Sequence, residues 1–315
     1  MKGWMFHGAR KPLELIERED PSAGPGQVVI KVRAAGLCHS DVGRLEGTLG
    51  AGFLPKPPPL ILGHEVAGEV VEAGLDVSDY KVGDRVVASG TVEFCPGRDE
   101  DGGYATHCVL PTHSLIRLPD TVSYVQGAAA TDAGQTSHGA LMTAGELKSG
   151  MKVGIVGLGG LGMTAARIAV LNGATVYGAE PRIEAWEAAV RQGVKAVVRD
   201  VRELAPLRLD LIVDFAGFGD TTAGAVEAVR RGGTVVQVGL GRTEALISTA
   251  ALIRNKVTLR GSSGGCPADT ASVIGHMAQG DLTIESSTIG FEEIPEGLER
   301  LKRGGVIGRI VAVMD

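Results

Sequence analysis

The chain has 315 residues, of which 44% are hydrophobic and 22% charged, and its formal net charge is −6. It is long enough for two domains, and its composition is typical of a soluble globular protein. The negative charge and the lack of a Lys/Arg block argue against nucleic-acid and membrane-surface binding. No apolar run reaches the length of a membrane span, and residues 1–20 lack the apolar stretch of a signal peptide. Because the four cysteines are unclustered, we expect free thiols and a cytoplasmic protein.

The first third of the chain has the pattern of a β-rich domain. Residues 27–36 alternate with period two, so that Val28, Ile30 and Val32 share one face of a predicted strand and Lys31 lies on the other. Glycine, aspartate and proline separate further short apolar segments. Strands are predicted within HEVAGEVVEAG, GDRVVASG and YATHCVLP. This spacing favours a small barrel or sandwich.

The pattern changes after residue 120. The Ala-rich segment 123–142 has helical propensity and is a candidate connection between two domains. From Lys152 onward, apolar strands alternate with helical segments, which is typical of a parallel sheet covered by helices on both faces. The predicted strands lie within KVGIVGLG, TVYGAE, LDLIVDFAG, GTVVQVGL and KVTLRGS. A helix in IPEGLERLKRG and a strand in GRIVAVM close the chain.

A glycine-rich turn indicates a dinucleotide site. Gly157, Gly159 and Gly162 form a G-x-G-x-x-G pattern directly after an apolar strand and at the start of a helix. The next strand ends at Glu180, near the offset expected for a carboxylate that accepts hydrogen bonds from the ribose hydroxyls. Glu180 would repel a 2′-phosphate, so we expect NAD rather than NADP, although Arg182 could turn to meet such a phosphate. The alternative is a glycine-rich turn that binds no ligand.

Polar groups that could bind a metal are found in three distant segments. Cys38 lies in GLCHSD, His64 in LGHEVAG and Asp132 in ATDAGQTSHGAL. Zinc accepts thiolate, imidazole and carboxylate ligands, and a catalytic site keeps three protein ligands and one open position. Spacing alone does not pair these residues. Cys38 could also be a buried inert thiol, and Asp132 a helix cap.

Several motifs together resemble the zinc-dependent alcohol dehydrogenase group of the medium-chain dehydrogenase/reductase family. The matching residues are Gly36-x-Cys38-x-Ser40-Asp41, Gly63-His64-Glu65, Gly83-Asp84-Arg85-Val86, Asp101-Gly102-Gly103-Tyr104-Ala105, the Gly157-to-Gly162 loop, LRGSSGG and GRIVAV. The resemblance covers essentially the whole chain. It implies an α/β protein with a GroES-like β-rich catalytic domain and a Rossmann domain with a doubly wound parallel sheet. The implied boundaries are 1–133 for the catalytic domain, 134–264 for the NAD-binding domain and 265–315 for a return to the catalytic domain.

The resemblance implies the roles of the residues at the metal. Its zinc ligands would be Cys38, His64 and Asp132, the last of which is a cysteine in many relatives. Ser40 would transfer the proton, although it could instead be a helix cap, and Asp41 would orient the imidazole of His64. Glu65 would lie behind the metal, and His39 would point toward the cofactor pyrophosphate.

The cofactor residues implied by the resemblance lie mostly around the glycine-rich loop. Thr136, Leu161 and Val238 would hold the nicotinamide, and Gly160 and Phe215 would border the cofactor. Arg309 matches a phosphate-contacting arginine of relatives, and a solvent-facing strand arginine is the alternative.

Three departures from the family pattern qualify this interpretation. Cys95 stands alone where a structural zinc lobe needs four cysteines, so we expect one zinc per subunit. Gly43 stands where relatives often have a histidine that ends the proton relay, and Ala185 stands where a basic residue is often found a few positions after Glu180. The proton would leave by water, by the ribose hydroxyls or through His39.

The predicted function is the reversible, zinc- and NAD-dependent oxidation of a small-molecule alcohol to an aldehyde or ketone. Relatives are dimers or tetramers, which favours a homodimer. One alternative is a zinc-independent quinone or enoyl reductase of the same superfamily. The other is a non-catalytic NAD(P)-binding relative.

Overall fold

A computed structural model of the protein describes residues 1–49 and 55–314. These residues form two compact units, the first made of Met1–Gln135 and Cys266–Asp315 and the second of Thr136–Gly265. The strands are β1 (Lys2–Phe6), β2 (Glu14–Glu17), β3 (Gln27–Leu37), β4 (Leu60–Ile61), β5 (Glu65–Ala73), β6 (Arg85–Ala88), β7 (His107–Pro111), β8 (Leu115–Arg117), β9 (Lys152–Val156), β10 (Thr175–Ala179), β11 (Val197–Val198), β12 (Leu211–Asp214), β13 (Thr234–Gln237), β14 (Thr258–Gly261), β15 (Ser286–Gly290) and β16 (Arg309–Val313).

The α-helices are α1 (His39–Glu46), α2 (Tyr124–Ala129), α3 (Gln135–Gly139), α4 (Gly160–Leu171), α5 (Trp186–Arg191), α6 (Asp220–Ala228), α7 (Thr249–Asn255), α8 (Pro267–Ala278) and α9 (Ile294–Arg303). Turns of π-helix cover Ala130–Gly134 and Ala140–Ala144. Turns of 3-10 helix cover Thr112–Ser114, Ile183–Ala185, Val201–Leu207 and Phe291–Glu293. None of the helices in the described part of the chain is long and apolar enough to cross a membrane.

The first unit is β-rich, as predicted. Its larger sheet has the order β15-β16-β3-β5-β6-β8, with β7 also paired to β3, and β2-β1-β4 form a smaller sheet. The long strand β3 is central because it pairs with β16, β5 and β7. Val28, Ile30 and Val32 are buried, as their alternation predicts, and they belong to one hydrophobic core.

The second unit contains a parallel sheet of the order β11-β10-β9-β12-β13-β14. The prediction of a parallel sheet with intervening helices is confirmed, and the strand order is that of a Rossmann fold, with its switch point between β9 and β12. In such a sheet, ligands bind in the crevice outside the carboxyl ends of the strands at the switch point. The glycine-rich loop follows β9 and therefore lies at that edge.

The Ala-rich segment is helical, as predicted, but it is not one regular helix. It runs from α2 through a π-helical turn to α3 and a second π-helical turn. Ala128, Ala129, Ala130 and Ala133 are all fully buried, which the small side chains allow. Single π-turns within helices are frequent at functional sites.

Because β3 is central, its apolar face should contribute strongly to the stability of the first unit. Ile30→Ala removes a fully buried side chain and should lower the free energy of unfolding by about 2–5 kcal/mol. The matched control is Val71→Ala on β5, where the side chain is 39% exposed and the expected loss is below about 1 kcal/mol. Urea unfolding followed by circular dichroism measures both, and equal losses would contradict the assignment of the core.

Candidate metal and dinucleotide sites

The register of two strands and a π-helical turn bring the predicted metal ligands together. Strand β3 runs antiparallel to β5 with Gly36 opposite Glu65, so Cys38, just beyond β3, lies near His64, just before β5. A side chain on Gly36 would collide with the carboxylate of Glu65, so glycine is required there. The third residue, Asp132, lies in the π-helical turn Ala130–Gly134.

The ligand atoms form one compact group. Cys38, His64, Glu65 and Asp132 each have one donor atom that lies within 4.8 Å of the other three. Among the described residues, these four form the cluster that could bind a metal ion. Cys38 Sγ lies 3.3 Å from Asp132 Oδ2, and His64 Nε2 lies 4.0 Å from the same oxygen. A sulfur, a nitrogen and carboxylate oxygens at this separation fit a zinc ion between them.

The imidazole of His64 lies beside a buried carboxylate. His64 Nδ1 lies 3.5 Å from Asp41 Oδ1, which leaves Nε2 on the side of Asp132. Burial alone would raise the pKa of Asp41, but His64, Arg44 and Tyr104 hold this pKa at about 2. Burial likewise opposes protonation of His64, yet the carboxylate of Asp41 raises the pKa of His64 well above its ordinary value. Asp41 is therefore an anion in position to fix the ring.

Arg309 is buried, so it is not the solvent-facing arginine that one alternative predicted. It is the first residue of β16, which pairs with β3, and it is only 4% exposed. Its guanidinium forms an ion pair with Glu65 and lies 3.0 Å from Asp132 Oδ2. The guanidinium thus offsets negative charge at Glu65 and at the predicted metal ligand Asp132, and contact with a cofactor phosphate stays a prediction.

The remaining predicted catalytic residues lie on α1. Cys38 is the N-cap of this helix, and His39 and Ser40 are its first two residues, the former exposed and the latter half-buried. Gly43 lies on the same helix and carries no group for proton transfer. Cys95, in the segment where the family pattern has a structural zinc lobe, has a free, half-buried thiol near the carbonyl of Pro96.

The glycine-rich loop has the geometry that pyrophosphate binding needs. Gly157 has a φ of +82°, and a side chain on Gly162 would collide with the carbonyl oxygen of Gly157. Gly159 is the N-cap of α4, whose first residues are Gly160 and Leu161. Backbone amides at such a helix start can approach a phosphate closely.

Other predicted cofactor residues lie around this loop. Phe215 and Val238 directly follow β12 and β13, and both are half-buried at the same carboxyl edge of the sheet as Gly157. Thr136 is buried in α3, and its neighbour Ser137 donates a hydrogen bond to the carbonyl of Leu161 at 2.8 Å.

Glu180 is buried directly after β10, and its carboxylate accepts hydrogen bonds from Leu158 and from Arg182. Its Oε2 accepts from the backbone N–H of Leu158 at 2.9 Å, which ties it to the glycine-rich loop. Arg182 donates from Nε to Oε1 at 2.9 Å and from Nη2 to Oε2 at 3.1 Å. Burial alone would raise the pKa of Glu180, but the bonds from Arg182 and Leu158 lower it. Glu180 is therefore an ionised acceptor beside the loop.

Three residues of these sites were not assigned a role from the sequence. Tyr104 and Arg44 both donate hydrogen bonds to Asp41. Asp214 accepts from the backbone N–H groups of Ala216 and Gly217 at 2.9 Å each and so fixes the turn after β12. Tyr104 lies in the quoted motif DGGYA, and Arg44 lies three residues after Asp41, a helical spacing that is evident only once α1 is recognised.

The chain matches two family models. Residues 24–120 match the alcohol dehydrogenase GroES-like domain, and residues 160–279 match the zinc-binding dehydrogenase domain. An alcohol dehydrogenase of Geobacillus stearothermophilus is 32% identical, over 99% of this chain and 98% of its own length. An NAD-dependent alcohol dehydrogenase of Sulfurisphaera tokodaii is 29% identical, over 96% and 97% of the two chains.

Solved structures agree with these matches. The alcohol dehydrogenase of Aeropyrum pernix superposes with a TM-score of 0.90 at 29% identity, over the full length of both chains. The acetophenone reductase of Geotrichum candidum, solved in complex with NAD, gives 0.89 at 27% identity, over 99% of this chain and 97% of that one. With the fold, the two sites and these similarities in agreement, the chain belongs to the zinc-type alcohol dehydrogenase group of the medium-chain dehydrogenase/reductase family.

Proposed function

We propose that the chain oxidises a small-molecule alcohol to an aldehyde or ketone with NAD, and the reverse, using one zinc ion held by Cys38, His64 and Asp132. The observation that carries this proposal is the convergence of the three donors within 4.8 Å, from segments far apart in sequence. A zinc-independent reductase of the same superfamily would have no use for this donor set.

The donor chemistry suits zinc with an open position. One thiolate, one imidazole and one carboxylate make three protein ligands, the number typical of catalytic zinc. When bound, zinc would supply Lewis-acid polarisation of the substrate oxygen, and NAD would supply the acceptor for the hydride. Asp132, a harder ligand than cysteine, should leave the metal a somewhat stronger Lewis acid.

The protein groups on α1 would move the proton. Ser40 accepts the hydroxyl proton of the substrate, Asp41 holds the ring of His64, and Glu65 stays paired with Arg309 behind the ligands. Because Gly43 provides no onward acceptor, the proton leaves by water, by the ribose hydroxyls or through His39.

The residues of the second unit would hold the cofactor. The amides at the start of α4 bind the pyrophosphate, and Glu180 accepts hydrogen bonds from the adenosine ribose. The ion pair with Arg182 keeps Glu180 charged, which disfavours the 2′-phosphate of NADP. Thr136, Leu161, Phe215 and Val238 line the remaining part of the cofactor site, and Arg309 is the proposed phosphate contact.

The setting proposed for the protein is a cytoplasmic homodimer. The cysteines of the described residues are free thiols, as expected in a reducing compartment, and the family resemblance favours a dimer over a tetramer. Light scattering after gel filtration tests the oligomeric state: a dimer mass supports the proposed homodimer, and a monomer or tetramer mass contradicts it.

The metal role of Cys38 can be tested by removing its sulfur. Cys38→Ser should abolish stoichiometric zinc after dialysis and lower kcat/KM for alcohol oxidation at least about 100-fold, because several kcal/mol of charge stabilisation are lost. Metal analysis and NADH absorbance measure the two effects. Cys266→Ser, at an exposed free thiol, is the control and should change neither. Full activity without zinc in the Cys38 variant would favour the zinc-independent reductase.

The preference for NAD can be tested at Glu180. Glu180→Gln keeps the volume of the side chain and removes its charge. It therefore weakens the ion pair that holds Arg182 beside this side chain. The ratio of kcat/KM for NAD over NADP should therefore fall at least about tenfold, which corresponds to about 1.4 kcal/mol. Glu187→Gln, at an exposed position in the following helix α5, is the control. An unchanged ratio in the Glu180 variant would contradict the assigned role.

A further inference from the structure

Asp41 is the centre of a buried polar cluster that extends beyond the metal ligands. It is 0% exposed, and its two oxygens have different partners. Tyr104 donates its hydroxyl to Oδ2 at 2.8 Å, and Arg44 donates from Nη1 to Oδ1 at 3.2 Å. His64 Nδ1 lies 3.5 Å from Oδ1. The carboxylate of Asp41 thus accepts hydrogen bonds from Tyr104 and Arg44 and also lies beside the proposed metal ligand His64.

The two donors are themselves fixed by the fold. Tyr104 is 0% exposed, and its backbone N–H donates to the carbonyl of Leu62 at 3.0 Å, two residues before His64. Its ring packs so closely against Gly63 that a side chain there would collide with it. The position of the hydroxyl is therefore set by the same backbone that carries the metal ligand.

Arg44 connects Asp41 to the segment that stands in place of a structural zinc lobe. Its side chain is only 9% exposed, and Nη1 also donates to the carbonyl of Gly97 at 3.2 Å. A side chain on Gly97 would collide with the backbone of Gly63, so this segment lies directly against the turn before His64. A single guanidinium nitrogen therefore bridges the segment and the carboxylate.

We propose that Tyr104 and Arg44 are positioning residues for the metal centre, which hold Asp41 so that the imidazole of His64 presents Nε2 to the metal. This inference rests on the proposed function, because it assumes that His64 is a zinc ligand. Hydrogen bonds to a buried carboxylate are strong and directional, so two of them fix its plane. Outer partners of a metal-bound histidine typically change metal affinity 10- to 100-fold when they are removed.

The direct test is the zinc affinity of Tyr104→Phe, which removes one hydroxyl and keeps the ring. The zinc dissociation constant, measured by competition with a chromophoric chelator, should rise about tenfold. The visible spectrum of the cobalt-substituted protein should also change, because the ring of His64 is less constrained. Tyr80→Phe is the matched control: its hydroxyl donates to the carbonyl of Leu115 at 2.9 Å, away from Asp41, and its loss should leave both readouts unchanged.

Arg44→Met gives an independent second variant, and it should weaken zinc binding to a similar extent. Wild-type zinc affinity and cobalt spectra in both the Tyr104 and Arg44 variants would overturn the inference. Cys38→Ser in the same assay separates a failure of the positioning role from a failure of the proposed ligand set. If it weakens zinc binding while the other two variants do not, only the positioning role fails. If it has no effect on zinc binding, the proposed ligand set fails and the positioning role fails with it.

Discussion

The antiparallel pairing of β3 with β5 is the constraint on which the metal site depends. This pairing sets Gly36 opposite Glu65 and so brings the turns that carry Cys38 and His64 to the same end of the sheet. On the other side of β3, β16 pairs Ile310 with Leu37 and brings Arg309 to the same place. A slip of one residue in either pairing would turn each side chain to the opposite face of the sheet. Strand register therefore brings the turns of Cys38 and His64 together, while Asp132 is placed by the π-helical turn Ala130–Gly134.

The charges at the site are balanced locally. A thiolate and the carboxylates of Asp132 and Glu65 would bring three negative charges into a largely buried space, which is costly without compensation. The guanidinium of Arg309 pairs with both carboxylates. A divalent ion would supply the rest of the positive charge, which explains how such a donor set can be stable. Asp132 contributes to this balance because it accepts a hydrogen bond from Arg309 Nη2 at 3.0 Å.

Much of the fold could be predicted from local patterns. The alternation in β3, the apolar strands of the second unit and the glycine-rich loop each depend on neighbouring residues, and the structure has the corresponding elements. The strands β1, β2, β4, β8, β11 and β15 were not predicted, because two to five residues are too few to show a regular apolar period. The helices α1 and α8 were not predicted either. The interruption of the Ala-rich helix by π-turns also has no local signal.

The metal site could be predicted only through family resemblance. Cys38 and Asp132 are 94 residues apart, and nothing in their spacing pairs them. The buried position of Arg309 depends on the pairing of β16 with β3, which is a long-range contact that periodicity does not reveal. The donors to Asp41 were missed for a related reason. Arg44 becomes its neighbour only through α1, and Tyr104 only through the packing of its motif against Gly63.

The proposed function depends on one zinc ion held by one sulfur, one imidazole and one carboxylate. X-ray absorption at the zinc edge of the purified, zinc-loaded protein measures these ligands. We expect one sulfur at about 2.3 Å, with the remaining ligands nitrogen or oxygen at about 2.0–2.2 Å. A zinc environment without sulfur, or with two or more sulfur ligands, would contradict this account.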